Sequence, residues 1–218
     1  TSGDSVDFNS DVTLGANVSI DTNGGTGTID FEGIAGAGFN LALLSDDQAI
    51  TVAGAATDIG TLTLQDATAT GAVTFEDNLV ANTLTTFAGA YNLSLLGDTT
   101  DIINATTFLN TGNLILGDGG DTLTFVGGVD ATAGNAISVG GTVNTTGTAM
   151  DFGDISLNAA STFDTDNAAL GTMVIGAVTT AGNQLTLDSG STAGATMGIG
   201  AIDDATGDVI IRDAGGLA

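Results

Sequence analysis

The 218-residue chain carries 26 acidic residues, one basic residue (Arg212) and no His, Cys, Pro or Trp, for a formal net charge of −25. Because binding to phosphate depends on Lys and Arg, this composition excludes nucleic acid and anionic membranes as partners. With 42% hydrophobic residues and a positive mean hydropathy, the chain is too apolar for a disordered polyanion, so we expect it to fold.

Short alternating segments bounded by Gly, Asp and Asn recur along the chain and predict β-strands. In chain order they cover residues 12–14, 28–31, 40–43, 61–64, 72–75, 92–95, 113–116, 122–125, 155–157, 185–187 and 209–211. The polar helix formers Glu, Lys and Arg are almost absent, whereas Thr, Val, Ile and Phe suit a pleated, half-buried surface. The sequence therefore predicts an all-β fold, and no apolar run is long enough to insert into a membrane.

Equivalent apolar positions recur at a nearly constant interval. One ladder has steps of about 18 to 23 residues, the length of a β-helix coil, and comprises Ile29, Ile50, Val73, Leu93, Leu114, Ile137, Ile155 and Val174. A second, offset by about ten, comprises Leu41, Leu62, Leu84, Phe125, Val143, Phe163 and Leu185, with a rung missing near Thr106. These ladders predict two strands per coil in a parallel β-solenoid of about ten coils of roughly 21 residues, in a single repeat domain over residues 1–218.

Two pairs of segments repeat at one common offset. Residues 40–46 (NLALLSD) match 92–98 (NLSLLGD), and residues 60–66 (GTLTLQD) match 112–118 (GNLILGD), each 52 residues apart. A β-sandwich, the alternative all-β fold, has similarly spaced turns but does not account for this offset. The absence of Pro also favours a solenoid, because a central strand needs every N–H for its ladder.

The cadence of "DVTLGANVSI", "GTLTLQDATATGAVTFEDNLVANTLTTF", "NLILGDGGDTLTFVGG" and "AISVGGTVNTTG" resembles the β-strand repeats of filamentous-haemagglutinin-like and autotransporter-like bacterial surface proteins. The resemblance spans nearly the whole chain and implies a secreted, right-handed parallel β-helix that serves as a stalk or adhesive surface. The chain lacks the secretion domain, barrel domain and arginine–glycine–aspartate motif of such proteins, and it reads like a segment of a longer precursor. The export route and the adhesive ligand are therefore left open.

One segment matches the core of a calcium-binding repeat. Gly117, Asp118, Gly119 and Asp121 lie in the pattern G-x-G-x-D-x-L, in which stacked turns bind Ca²⁺ through carboxylate and carbonyl oxygens. These four residues are the candidate metal ligands. Because only one copy is present, a tight turn between the strands at 113–116 and 122–125 is the competing interpretation.

The available side chains argue against catalysis. Paired carboxylates need supporting groups in a cleft to separate their pKa values, and the chain offers no His, no Trp and one Arg. We therefore expect a non-enzymatic extracellular rod, either an adhesin stalk or a filament or matrix subunit, that associates end to end or with neighbouring rods. The alternative is a solenoid that binds Ca²⁺, surface glycans or ice through one face, the last suggested by Thr-x-Thr patterns such as 61–63, 83–85 and 122–124.

Overall fold

The computed structural model describes residues 4–22, 26–46, 48–66, 71–166, 171–191, 194–203 and 206–212. All pairings between its strands are parallel, and each strand pairs with its counterpart about one coil away along the chain. The fold is an all-β parallel solenoid, as predicted. No helix within these ranges is long and apolar enough to cross a membrane.

The coils have three faces. The first face carries ten described strands: β1 (Val6–Phe8), β4 (Ile29–Phe31), β7 (Ile50–Val52), β9 (Ala72–Phe75), β11 (Asn92–Leu95), β14 (Asn113–Leu116), the first parts of β17 (Ala136–Asn144) and β19 (Ile155–Asp164), β21 (Val178–Thr179) and β24 (Ile202–Asp203). On this face the coil is shortest between the register partners Ile137 and Ile155, and it is longest between Val178 and Ile202.

The second and third faces complete each coil. The second face comprises β2 (Val12–Thr13), β5 (Ile34–Ala35), the first parts of β8 (Ala56–Asp66) and β10 (Leu79–Thr86), β12 (Thr99–Ile102), β15 (Thr122–Phe125), the second parts of β17 and β19, β22 (Leu185–Asp188) and β25 (Val209–Ile211). The third face comprises β3 (Val18–Asp21), β6 (Leu41–Ser45), the second parts of β8 and β10, β13 (Thr106–Thr107), β16 (Val129–Ala131), β18 (Met150–Phe152), β20 (Thr172–Ile175) and β23 (Thr196–Ile199).

Inward side chains of all three faces fill one continuous core. Because a strand alternates its side chains, every second residue points inward, and these are Val, Ile, Leu, Phe, Met or Ala at most positions. The faces meet inside the rod: Phe108 packs edge-on against Phe125 with ring centroids 5.9 Å apart. The three methionines, Met150, Met173 and Met197, stack in register in one inward column of the third face.

The first predicted ladder is confirmed over seven of its eight positions. Ile29, Ile50, Val73, Leu93, Leu114, Ile137 and Ile155 are buried and pair one with the next in register. The eighth rung, Val174, is wrong. That residue lies on the third face and is 50% exposed, because its neighbours Met173 and Ile175 take the inward positions. The true next rung is Val178, which pairs with Ile155.

The second predicted ladder is wrong as a single column, and so is the prediction of two strands per coil. Leu41, Leu62 and Leu84 pair in register on the third face, whereas Val143 and Phe163 pair on the second. The remaining members, Phe125 and Leu185, also lie on the second face but pair with Ile102 and Ser161. The two ladders were offset by about half a coil. A step of that length from the first face can end on either the second or the third face, so residues of two faces were combined in one ladder.

The rung that was missing near Thr106 is present but polar. Thr106 is buried on the third face, where it pairs with Val129. At this point the third face also passes from the twenty-stranded sheet into a separate five-stranded sheet, which begins at β13. The junction is bridged by the buried hydroxyl of Thr86, which donates to the carbonyl oxygen of Thr107 (3.2 Å) and accepts from the N–H of Leu109 (2.8 Å).

Asparagine side chains extend the ladders at the corners. The Oδ1 atom of Asn40 accepts a hydrogen bond from the N–H of Thr61, and Oδ1 of Asn92 accepts from the N–H of Asn113, both at 2.9 Å. Each bond joins equivalent positions of two successive coils. The repeated sequence unit copies this local arrangement from the third face, where Asn40 precedes β6, to the first face, where Asn92 begins β11. The offset of the repeat is therefore about two and one-third coils.

Candidate functional site

The predicted metal ligands lie in the turn between β14 and β15, where the chain passes from the first face to the second. Asp121 is only 3% exposed, and its Oδ2 atom accepts hydrogen bonds from the N–H groups of Asp118 (2.6 Å) and Gly119 (3.3 Å). The side chain of Asp118 is exposed. One carboxylate oxygen of Asp121 is thus committed to holding the turn, because two backbone donors converge on it.

The neighbouring coils cover this turn closely. The carbonyl oxygen of Gly117 accepts a hydrogen bond from Nδ2 of Asn158, two coils away, at 3.1 Å. Gly117 has φ of +73°, and a Cβ built on it would lie 2.1 Å from the carbonyl oxygen of Gly140. A side chain is therefore excluded at Gly117 by both the backbone conformation and the space.

The carboxylate chemistry of the turn is limited. Asp118 and Asp121 bring two carboxylates to it, and within the described part of the chain no three His, Cys, Asp or Glu residues are grouped so that they could hold a metal ion. Calcium takes six to eight oxygen ligands, so carbonyls and water would have to supply most of them. The turn accounts for Gly117, Gly119 and Asp121 as structural residues, and their role as calcium ligands stays a prediction.

Carboxylates also stack between coils, which the sequence did not reveal. Asp164 and Asp188 pair in register on the outer side of the second face, and Asp130 and Asp151 do so on the third. Adjacent strands lie about 4.8 Å apart, so each pair places two like charges close together. These carboxylate pairs can be identified only from the register of the strands, because the two members of each pair lie a full coil apart in the sequence.

One member of each pair has a raised pKa, and burial is the largest cause. Burial raises the pKa of Asp151, and the nearby carboxylate of Asp130 raises it further. Burial likewise raises the pKa of Asp164; the N–H of Asp166 opposes that shift and the carboxylate of Asp188 adds to it. Arg212, the only basic residue, lowers the pKa of Asp164 by a smaller amount. The carboxyls of Asp151 and Asp164 therefore hold a proton more readily than free aspartate does.

The Asp130–Asp151 pair borders a shallow depression of about 160 Å³ on the third face. Its floor and walls include Thr107, Gly127 and Gly128. Two carboxyl groups beside a small open depression can bind a proton or a hydrated cation. The depression is too small to enclose a sugar or a nucleotide, since ligand pockets usually measure about 300 Å³ or more.

Threonine side chains form a column along the outer side of the second face. Four of them, exposed or half-buried, pair in register on successive coils: Thr99, Thr122, Thr142 and Thr162. The next register partner, Thr186, is buried. The Thr-x-Thr motifs themselves do not share one face. Residues 61–63 and 83–85 stack on the third face, whereas 122–124 lie on the second. The Thr-x-Thr motifs are therefore divided between two faces and do not form one regular threonine surface.

Comparison of the chain with protein-family models, with curated proteins and with solved structures finds no match. The fold and the surfaces described above are thus the basis for assigning a function.

Proposed function

We propose that this chain is a non-catalytic extracellular structural rod, acting as the stalk of a surface adhesin or as a subunit of a self-assembling filament or matrix. The observation that supports this role is the in-register ladder of the first face, which continues through ten described strands above one unbroken core. Each coil adds about 4.8 Å to the length of the rod, so ten coils give a rod of roughly 48 Å.

The surface chemistry fits a spacer better than an enzyme. The inward side chains are nearly all committed to packing, and the carboxylates lie on strand surfaces and in turns rather than around an enclosed cleft. The extracellular assignment rests on the resemblance to bacterial surface repeats and on a composition without Lys, which offers trypsin-like proteases a single cleavage residue, Arg212.

Removal of one coil tests the rod. Deletion of residues 93–113 joins Asn92 to Leu114, and because Leu93 and Leu114 are register partners, the shortened chain keeps its inward pattern. We expect this variant to fold and, by small-angle X-ray scattering, to be shorter by about 4.8 Å. Loss of folding, or retention of the original length, would contradict the proposal.

A deletion that is one residue shorter serves as the control. Removal of residues 93–112 puts Asn113 directly after Asn92, so that Leu114 and Leu116 turn outward. A one-residue slip moves the whole hydrophobic set of a strand to the other side. We expect this control to unfold, which would show that the register, and not the loss of residues alone, decides the outcome.

The threonine column on the second face favours a second candidate, binding to a regular surface such as ice. Four accessible hydroxyl-bearing side chains, those of Thr99, Thr122, Thr142 and Thr162, are spaced about 4.8 Å apart and present a repeating row of methyl and hydroxyl groups. If the column binds ice, the protein should slow ice recrystallisation, and Thr142→Tyr should abolish the effect by breaking the row. An inactive wild-type protein would reject this candidate and leave the rod unaffected.

A further inference from the structure

The ladder of paired strands breaks on one face of the rod between coil four, which contains β9 and β10, and coil five, which contains β11, β12 and β13. In the described stretch 71–166, β13 pairs with β16 of the next coil but not with β10, so the third face is divided between two sheets. Across the same coils the first face pairs through β9, β11 and β14, and the second through β10, β12 and β15. We call the break, between residues 83–88 and 105–110, the junction.

A side-chain hydroxyl replaces backbone groups at the junction. One coil later, the N–H of Phe108 donates to the carbonyl oxygen of Asp130 (2.8 Å), as expected in a parallel ladder. At the junction, the N–H of Leu109 donates instead to Oγ1 of Thr86 (2.8 Å), and that hydroxyl donates to the carbonyl oxygen of Thr107 (3.2 Å). The hydroxyl of Thr86 therefore lies between two backbones that bond to each other directly elsewhere in the rod.

A second hydroxyl is inserted at the corner that follows β10. The hydroxyl group of the buried Tyr91 accepts a hydrogen bond from the N–H of Phe87 and donates one to the carbonyl oxygen of Leu64, each at 3.3 Å. The preceding residue, Thr86, still pairs in register with Leu64. The backbones thus begin to separate at the end of β10, and the separation continues into the junction.

The corner beside the junction is held more loosely than the first face of the same two coils. On the first face, the N–H of Leu96 donates to the carbonyl oxygen of Phe75 at 2.9 Å. Beside the junction, Nδ2 of Asn110 reaches the carbonyl oxygen of Tyr91 only at 3.5 Å, and the buried Oδ1 of Asn110 has no hydrogen-bond partner. Long hydrogen bonds are weak and a buried unpaired oxygen is unfavourable, so this side of the coil resists opening least.

Apolar side chains border the junction without being covered by a neighbouring coil. Seven large hydrophobic side chains are exposed in the described chain, and three of them, between 42% and 45% exposed, belong to this region: Phe87, Ile103 and Leu109. Apolar contact is not directional, so side chains of this kind do not fix the spacing of two coils as a ladder does.

Two continuous ladders beside one interrupted ladder allow motion in one direction. We propose that the junction is a hinge, at which the third face opens while the first and second faces stay paired, so that the rod bends away from the third face. The paired strands of the other two faces form the axis of the hinge, and local opening of a weakly bonded segment needs no unfolding of the rest. The part of the rod beyond coil five can then change direction as one body.

Hydrogen exchange resolved by NMR tests whether the junction opens. Leu96 and Leu109 both direct an N–H from coil five to coil four, the first on the first face and the second at the junction. We expect the Leu109 amide to exchange at least about tenfold faster, because local opening exposes it while the first face stays closed. Phe108, whose N–H points to coil six, is the control on the third face and should be protected like Leu96. Equal exchange of Leu109 and Phe108 would overturn the hinge.

Distances between spin labels measure the bend, since the chain has no cysteine of its own. Thr63→Cys with Val174→Cys places two labels on the outer side of the third face, on coils three and eight. Thr51→Cys with Ser156→Cys places them on the same coils of the first face. Each pair spans five steps, or about 24 Å in a straight rod.

Pulsed dipolar spectroscopy should give longer and more broadly distributed distances for the third-face pair than for the first-face pair, because opening lengthens only the third face. Identical distributions for the two pairs would show a straight rod and refute the hinge.

Thr86→Val and Thr86→Ser separate the hinge from a general loosening of the fold. Valine removes the hydroxyl that ties Thr107 and Leu109 to coil four, so the third-face distances should broaden further, whereas serine keeps the hydroxyl and should match the wild type. The first-face distances should stay narrow in both variants, and their broadening to the same extent would contradict the hinge. If Thr86→Val does not fold, the wild-type distances alone decide.

Discussion

At the scale of single residues, two buried threonines differ in whether their hydroxyl groups find a partner. Thr100 is fully buried between Leu79 and Leu123, and its Oγ1 atom has no hydrogen-bond partner. Thr86 is also buried, but its hydroxyl bridges to Thr107 and Leu109. Of these two hydroxyls, the first therefore lowers the stability of the fold and the second raises it.

Replacement of each threonine by valine should have opposite effects. Thr100→Val removes an unsatisfied buried hydroxyl at nearly constant volume, and we expect it to stabilise the fold by about 1 kcal/mol, or about 2–4 °C in Tm for a domain of this size. Thr86→Val leaves the N–H of Leu109 without its acceptor and should destabilise by a similar amount. Thermal unfolding of the two variants in parallel checks both signs; a loss of stability in Thr100→Val would be contradictory.

The stacked carboxyl groups give the stability a definite pH dependence. Because the pKa of Asp151 is raised in the folded chain, the native state binds its proton more readily than the unfolded state does. Its contribution is complete below about pH 4 and is lost as pH rises through the raised value. We expect Tm to increase as pH falls from 7 towards 4.5, with Asp164 contributing in the same direction.

Asp151→Asn isolates this contribution. The amide removes both the desolvated charge and its repulsion from Asp130, so Tm at pH 7 should rise and the dependence on pH should flatten. Asp118→Asn, at an exposed turn position, is the control for the loss of one negative charge. An identical rise in both variants would assign the effect to net charge and not to the stacked pair.

Sequence alone predicted the inward column of the first face because its residues are large, apolar and one coil apart. It failed at Val174 because an apolar residue next to two inward ones is indistinguishable from them by hydropathy. It also gave no sign of the Asp164–Asp188 and Asp130–Asp151 pairs, because they depend on a register whose spacing along the chain changes from coil to coil.

At the scale of elements, the turn at 117–121 shows how a motif read as a metal site can be explained by backbone geometry. The sequence predicted correctly that a turn joins β14 and β15. It did not predict that Asp121 is buried and caps the N–H groups of Asp118 and Gly119, because that requires the positive φ angles of Gly117, Gly119 and Gly120.

Asp121→Ala separates the capping role from calcium binding. Loss of two charge-assisted hydrogen bonds should lower the free energy of unfolding by about 2–3 kcal/mol, and to the same extent with and without Ca²⁺. If Asp121 instead binds calcium, millimolar Ca²⁺ should raise the Tm of the wild-type chain but not that of Asp121→Ala. A comparison of Tm in excess chelator and in Ca²⁺ distinguishes the two.

The number of faces was the element-level feature that sequence patterns missed. Strands β8 and β10 each run from the second face to the third, and β17 and β19 each run from the first to the second. In β8 the bend occurs near Asp58, which has φ of +53°, and no separate turn segment interrupts the strand. A count of strands bounded by turn residues therefore merges two faces into one, which is why two strands per coil were expected instead of three.

At the scale of the whole molecule, the net charge of −25 should make stability depend on ionic strength. Carboxylates on neighbouring coils lie within the Debye length of about 10 Å at 0.1 M salt, so screening relieves repulsion that exists only in the compact state. We expect Tm to rise steadily as NaCl increases from about 0.02 M to about 0.5 M. The slope should be smaller in Asp130→Asn, and a Tm that is independent of salt would contradict this account.

The short interval between register partners bears on how the chain reaches its native state. Each strand of the first face finds its partner one coil away along the chain, and this separation does not grow with the number of coils. The loop-closure entropy per added coil is therefore nearly constant, so folding can start at one nucleus and propagate coil by coil. A rod built in this way can lengthen by duplication of coils without a slower folding step, and its first coils can fold while later ones are still being synthesised.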